Sequence, residues 1–286
     1  LGLVRDSRVG CPQATRGRKQ TLQQLDEQEY IRSKLFASDT SMVRRYAALV
    51  VGPDTSWWQL IRYELITMLL GGLPGALGLA LRKLFYPRLF RRCGRGVVFG
   101  RDLVVRNAHR ISLGDNVVLD DGCVVDGRGA GPAGVEIGDR TILGRGVSIQ
   151  AKIGPIRIGS DSDIGMHSVI HSQGGVDIGR EVVLGGGCKI SGGVFQTERG
   201  PACGTQGARE QTRWTKGPIR IGDRSLIGFG SLFLDGVEIG EGSVIGAGSV
   251  MLASVPPWSV AAGVPGRVLR MRAEEVAGDR VAEEAR

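Results

Sequence analysis

The stretch KGPIRIGDRSLIGFGSLFLDGVEIGEGSVIGAGSVM, residues 216–251, puts an apolar side chain at every sixth position: Ile221, Ile227, Phe233, Ile239, Ile245 and Met251. Four residues after these stand small or β-branched side chains, among them Ser225, Ser231, Val237, Ser243 and Ser249. Glycine often follows the apolar residue directly. A helix repeats its faces every 3.6 residues and a strand every two, so neither accounts for a beat of six. Short strands separated by Gly-marked corners do account for it. Each coil of such a chain buries its inner face only by stacking on the next, which is the sequence signature of a parallel β-helix.

The beat extends back through Ile178, Leu184 and Ile190; Ile158, Ile164 and Ile170; Ile137, Leu143 and Ile149; and Leu113, Leu119 and Val125. All eighteen positions are apolar. Three hexads close one triangular coil, which predicts about six coils, with a weaker one ahead of them at Phe99, Val105 and Ile111. An antiparallel sandwich would need polar turns about every 8–12 residues and longer alternating runs. Extra residues enter only between Val125 and Ile137, Ile149 and Ile158, Ile170 and Ile178, and Ile190 and Ile221. Each insertion follows a third hexad, so all four share one edge, where a binding face is expected. The longest, roughly Phe195 to Lys216, is polar and charged and ends in Arg213, Trp214 and Lys216. Loops of that length are usually functional.

Together with the closing VPPWSVAAGVPGRVLRMR, residues 255–272, the run from Lys216 to Met251 makes the chain from about Val97 to Arg272 resemble the hexapeptide-repeat acyltransferases, particularly those that O-acetylate surface polysaccharides and other sugars. The resemblance implies a left-handed β-helix and a homotrimer with a site in each cleft between neighbours. It also implies acetyl-CoA or another acyl-CoA as donor, and as acceptor a hydroxyl of a sugar or a lipid-linked polysaccharide intermediate. The closing segment resembles the stretch that meets the nucleotide end of CoA, which carries that role to Gly263, Pro265, Gly266 and Arg267. A Gly-Val-Pro-Gly turn exposes backbone N–H groups, and Arg267 suits bidentate pairing with phosphate. Lys216, Gly230, Ser231 and Gly248 are further positions expected at the donor, with backbone N–H groups of Gly228-Phe229-Gly230-Ser231 as oxyanion donors. Gln173, Gln196, Glu198 and Trp214 are expected at the acceptor.

O-acyl transfer needs a base for the acceptor hydroxyl, and histidine is the natural one. The family resembled carries a histidine just after the hexad that precedes the long loop. Here that place reads ISGGVFQTE, Ile190 to Glu198, and holds none. Three histidines exist. His171 follows the inward Ile170, so alternation turns it outward, on the insertion edge one coil from the root of the long loop. It is the first candidate for the base. His167, at a solvent-directed corner of the same coil, is the second, and His109 reads as structural. Glu198 would need a raised pKa to serve.

Three histidines also raise a metal-dependent hydratase of the γ-carbonic-anhydrase type, but two at a spacing of four with a distant third do not form a ligand set, and no metal is expected. Cys123 and Cys188 occupy small inward positions and read as core. The missing histidine leaves a catalytically silent β-helix scaffold as the other alternative. Five cysteines without framework spacing argue for a reducing compartment, and the chain is expected in the cytoplasm, peripheral on the inner face of the membrane.

The formal charge of +8 is uneven. Residues 1–24 form a basic head without periodicity, expected to be disordered, and 271–286 a charged tail. Between them, 25–96 reads as a helical region and 97–270 as the β-helix. Within the former, Leu65 to Leu81 is uncharged but interrupted by Gly71-Gly72-Leu73-Pro74-Gly75. That is too short and broken to span a bilayer, and it reads as an apolar hairpin. Ser56 and Gln59 fit a capping box at its start. Trp57 and Trp58 at one end, with Arg82, Lys83, Tyr86, Arg88 and Phe90 at the other, look like anchors at an anionic lipid surface. The alternative is a helical cap on the open end of the β-helix. No signal-peptide cleavage site and no nucleic-acid-binding motif is present.

Overall fold

The computed structural model describes residues 41–52, 56–129, 134–192 and 217–272. Three helices precede the strands: α1 (Met42–Val50), α2 (Trp57–Leu70) and α3 (Gly75–Phe85). The rest is a parallel β-solenoid with three faces. Face A runs from Arg92–Cys93 to Glu238–Ile239, seven strands deep. Face B runs from Val98–Phe99 to Val244–Ile245 and then adds the closing strands Ser259–Gly263 and Gly266–Met271. Face C runs from Val104–Arg106 to Val250–Met251, again seven strands. The coil expected to be weak is therefore a full coil, Arg92–Cys93, Val98–Phe99 and Val104–Arg106, with Phe99 and Val105 buried in it; Ile111 is buried too, but on the strand Ile111–Leu113 of the next coil.

Every aliphatic of the six-residue beat is buried. Register explains why no position can slip. On face C, Ile170 stacks between Ile149 and Ile190, and the stack continues from Ile190 through Phe233 to Met251. A shift of one residue would turn each of these outward. The small inward residues sit where the chain turns, close to a carbonyl of the next coil. Thr141, Ser162, Ser168, Ser225 and Ser231 donate their hydroxyls to Gly159, Gly179, Gly185, Gly240 and Gly246, at 2.9–3.3 Å. That satisfies hydroxyls whose burial would otherwise be costly, and it explains why serine alternates with valine and cysteine there.

The corner between faces B and C requires a left-handed backbone in coil after coil: Gly122, Gly146, His167, Gly187, Gly230 and Gly248 all have φ between 57° and 71°. Histidine at one of these places bears a steric cost that glycine does not.

The apolar stretch with the Gly-Pro interruption forms a helical hairpin, α2 turning into α3. Gln59 reaches back to accept from the Ser56 amide at 3.2 Å, as the capping-box reading expects. The hairpin also caps the solenoid's open end. Tyr86 and Phe90 lie against Phe99, with ring centroids 5.4 and 5.6 Å away. The buried Arg82 donates to the carbonyls of Leu70, Leu73 and Phe99, which ties both helices to the first coil.

Candidate functional site

The extra residues gather where face C turns into face A, as their position after each third hexad predicts. Residues 127–129 and 134, then 152–155 and 173–175, follow one another along that edge, and the chain leaves it at Gly192 and returns at Gly217. His171 lies on the strand Val169–Ser172, paired with Gln150 on one side and Ser191 on the other. Ser172, turned inward, shapes the corner: its hydroxyl donates to Pro155 at 3.3 Å and accepts from the Gly175 amide at 3.0 Å.

The His171 ring points outward, as alternation requires, yet it is half-buried rather than solvated. Its Nε2 is fully buried and makes no hydrogen bond, and the same is true of Oε1 of Gln173. Burial lowers the His171 pKa to about 4, with a smaller contribution from the Lys152 ammonium. The imidazole is thus neutral at physiological pH. Two unsatisfied buried polar atoms in one corner each cost on the order of 1–3 kcal/mol, a cost that a ligand donor or acceptor entering the corner would remove. Gln150 and Ser191, which flank His171, were not singled out in the sequence. The signal was there, since each directly follows an inward isoleucine as His171 does, but only register makes them neighbours.

His167 sits at the opposite end of the same strand, exposed at the corner between faces B and C. Four positions separate it from His171, through the corner and into the strand Val169–Ser172, a reach of at most about 13 Å. The structure therefore does not bring the two together. His109 lies in a short 3-10 turn, Ala108–Arg110, where burial lowers its pKa. Among the described residues no three of His, Cys, Asp or Glu are placed to hold a metal ion. Cys123 and Cys188 are buried in the core, where burial raises their pKa values.

The residues expected at the acyl donor gather elsewhere, along the edge between faces B and C and at the closing end. Gly230 and Gly248 are exposed there. Gly263 and Gly266 face each other at the tip of an antiparallel hairpin, joined through a cis Val264–Pro265 bond. Pro265 and Arg267 are exposed at this tip, and Gly266 packs against Met251. Several of these groups make hydrogen bonds within the fold. Ser231 is buried, its hydroxyl donated to the carbonyls of Gly228 and Gly246. Of the amides expected as oxyanion donors, those of Gly228 and Gly230 donate to the carbonyls of Ile245 and Gly186, and that of Gly248 donates to Phe229. The amide of Gly263 is taken by Ser249 at 3.2 Å. In each case the solenoid's own hydrogen bonds use the group. Gln196, Glu198, Trp214 and Lys216 lie outside the described residues.

A three-faced parallel solenoid built on this six-residue beat is a hexapeptide-repeat architecture. Residues 155–195 and 218–253 match the family model described as the hexapeptide repeat of succinyl-transferase. No curated protein matches the chain. Among solved structures, the polysialic-acid-specific acetyltransferase NeuO is 22% identical, with 65% of this chain and 86% of that chain covered and a TM-score of 0.47. AntD, an N-acyltransferase from Bacillus cereus in complex with dTDP and 3-hydroxybutyryl-CoA, is 21% identical over 67% of this chain and 88% of that chain, with a TM-score of 0.46. A hexapeptide transferase family protein from Anaplasma phagocytophilum is 21% identical over 64% and 84%, with a TM-score of 0.39.

Proposed function

We propose that the chain is an acyl-CoA-dependent O-acyltransferase that carries an acyl group, acetyl in the simplest case, to a hydroxyl of a sugar or of a lipid-linked saccharide. The observation that carries the site is the pair of unsatisfied buried atoms, His171 Nε2 and Gln173 Oε1, at the edge where the insertions gather. Once an entering acceptor uncovers Nε2, a neutral imidazole there takes the hydroxyl proton as that oxygen attacks the thioester carbonyl and the CoA thiolate leaves, and Gln173 orients the sugar by accepting from a neighbouring hydroxyl. Acyl-CoA, when bound, supplies the activated thioester. The exposed guanidinium of Arg267, at the tip of the closing hairpin, suits its phosphates.

The donor and acceptor elements lie on different edges of one prism, so a single protomer presents two half-sites. A homotrimer closes this gap, because rotation about an axis along the solenoid sets one protomer's B–C edge near its neighbour's C–A edge. Thiol release from acetyl-CoA, measured with a panel of sugar acceptors, tests the reading. Acceptor-dependent release that falls about a hundredfold in His171→Ala is expected. Absence of release with every acceptor would favour a silent scaffold, and stoichiometric zinc in the purified protein would favour a hydratase.

A further inference from the structure

The helical hairpin is apolar on both sides. Leu60, Tyr63 and Ile66 form the buried stripe of α2, and Tyr63 and Ile66 join the solenoid's core. The opposite side carries Trp58, Ile61, Leu65 and Met68, and α3 continues it with Leu77 and Leu84. These are well exposed, Trp58 at 78%, Met68 at 70% and Leu77 at 70%. A helix that is apolar all round leaves one face to be covered. The three bonds of Arg82 and the bond from the Asp102 amide to Gly71 hold the hairpin in place. The outward face is thus a fixed platform.

Charge identifies the cover. From Ser56 to Arg101, with the buried Arg82 set aside, seven exposed basic residues stand against one acid, Glu64; of these Arg95 and Arg101 pair with Asp115 and Asp102, and the rest lie nearer the hairpin. Arg62 and Lys83 are exposed at the flanks of the apolar faces, and the Arg88 guanidinium lies 5.3 Å over the ring of Phe85. The one acid is engaged by the hydroxyl of Tyr46 at 2.6 Å. An apolar face with a basic rim and tryptophans at its edge is complementary to an anionic bilayer surface rather than to a second apolar, basic copy of itself. Length sets the mode. Fourteen residues of α2 reach about 21 Å, short of the roughly 30 Å hydrocarbon core. No helix among the described residues is long and apolar enough to cross a membrane.

We infer that the outward face of the α2–α3 hairpin docks the protein in the plane of an anionic lipid surface, and so holds the solenoid with its first coil toward the membrane. The inference stands apart from the acyl-transfer reading, since its test needs neither donor nor acceptor. The full chain is floated with phosphatidylcholine vesicles that contain or lack phosphatidylglycerol. Co-flotation with the anionic vesicles is expected, weakened by salt, together with quenching of tryptophan fluorescence by brominated lipid that is lost in Trp57→Phe/Trp58→Phe. The double variant Met68→Glu/Leu69→Glu, both residues already exposed, should lose at least about tenfold in bound fraction. Its circular dichroism and sedimentation should not change. Failure of the parent protein to float, or equal flotation of the variant, overturns the proposal. A smaller assembly in the variant, without vesicles, also overturns it, because the face would then lie between copies.

Discussion

A histidine whose pKa lies near 4 leaves a signature that an ordinary histidine cannot. If His171 is the base, kcat/KM follows its neutral fraction. At pH 5.5 a base of pKa about 4 is about 97% unprotonated, whereas one at the usual 6.5 is about 9% unprotonated. Transfer should therefore stay level from pH 8 down to about 5 and halve near 4. The assay is acetyl-CoA-dependent acylation measured at subsaturating donor across that range, with His171→Gln run beside the parent. The variant should lose about a hundredfold and show no inflection near 4. Stability carries the same sign. The folded-state pKa is depressed, so the unfolded chain takes the proton first, and stability present above pH 6.5 is lost as pH falls toward 4. The displacement corresponds to about 3 kcal/mol at most, and partial exposure screens it to roughly 1–2 kcal/mol. Relative to the parent, His171→Gln should therefore gain denaturant resistance between pH 7 and 4. An activity inflection near 6.5 would refute the buried environment of His171, and unchanged transfer in His171→Gln would refute its role.

Phe233, fully buried between Ile190 and Met251, should cost about 3–5 kcal/mol as Phe233→Ala, seen as a lower denaturation midpoint with an unchanged slope. His167→Gly removes a left-handed residue at a cost of about 1–2 kcal/mol to the parent, offset by about 0.5–1 kcal/mol of glycine entropy. The variant should match the parent in kcat/KM, and a tenfold loss would move the base to His167. Arg82→Met leaves the carbonyls of Leu70, Leu73 and Phe99 without their donor. It should cost about 3 kcal/mol or more and loosen the hairpin, which hydrogen exchange of residues 57–85 would report.

The fold was legible because the solenoid repeats one burial rule eighteen times, so a single misplaced residue cannot hide the pattern. The edge that gathers the insertions was legible for the same reason. The state of His171 was not. Alternation says which way a side chain points, but it carries no information about what the neighbouring strands do to it, and Gln150 and Ser191 meet His171 only through register. The engagement of the Gly228 and Gly230 amides was hidden for a related reason: they look available in a linear sequence, yet in a parallel solenoid successive coils bond to one another, and both amides donate to a neighbouring coil. Chemistry on such a scaffold falls to outward side chains, to loops, and to the closing hairpin where the ladder ends.

That separation constrains the donor. On face B, the strand in His171's coil, Asp163–Ile164, is followed by Val183–Leu184, Leu226–Ile227, Val244–Ile245 and the hairpin strand Ser259–Gly263. Four strand spacings of about 4.8 Å put the hairpin about 19 Å farther along the axis. Rotation into a neighbouring protomer about an axis parallel to the solenoid changes edges but not this axial offset. A donor that meets His171 at its reactive end and Arg267 at the other must therefore lie extended along the cleft. Arg267→Ala should then raise KM for acetyl-CoA by about ten- to a hundredfold, the worth of a charge-assisted bond, with kcat unchanged. For the S-acetyl thioester of N-acetylcysteamine, which lacks phosphates, the same substitution should change nothing. An equal effect on both donors would mean that Arg267 acts through the hairpin's fold, and no effect on either would place the phosphates elsewhere.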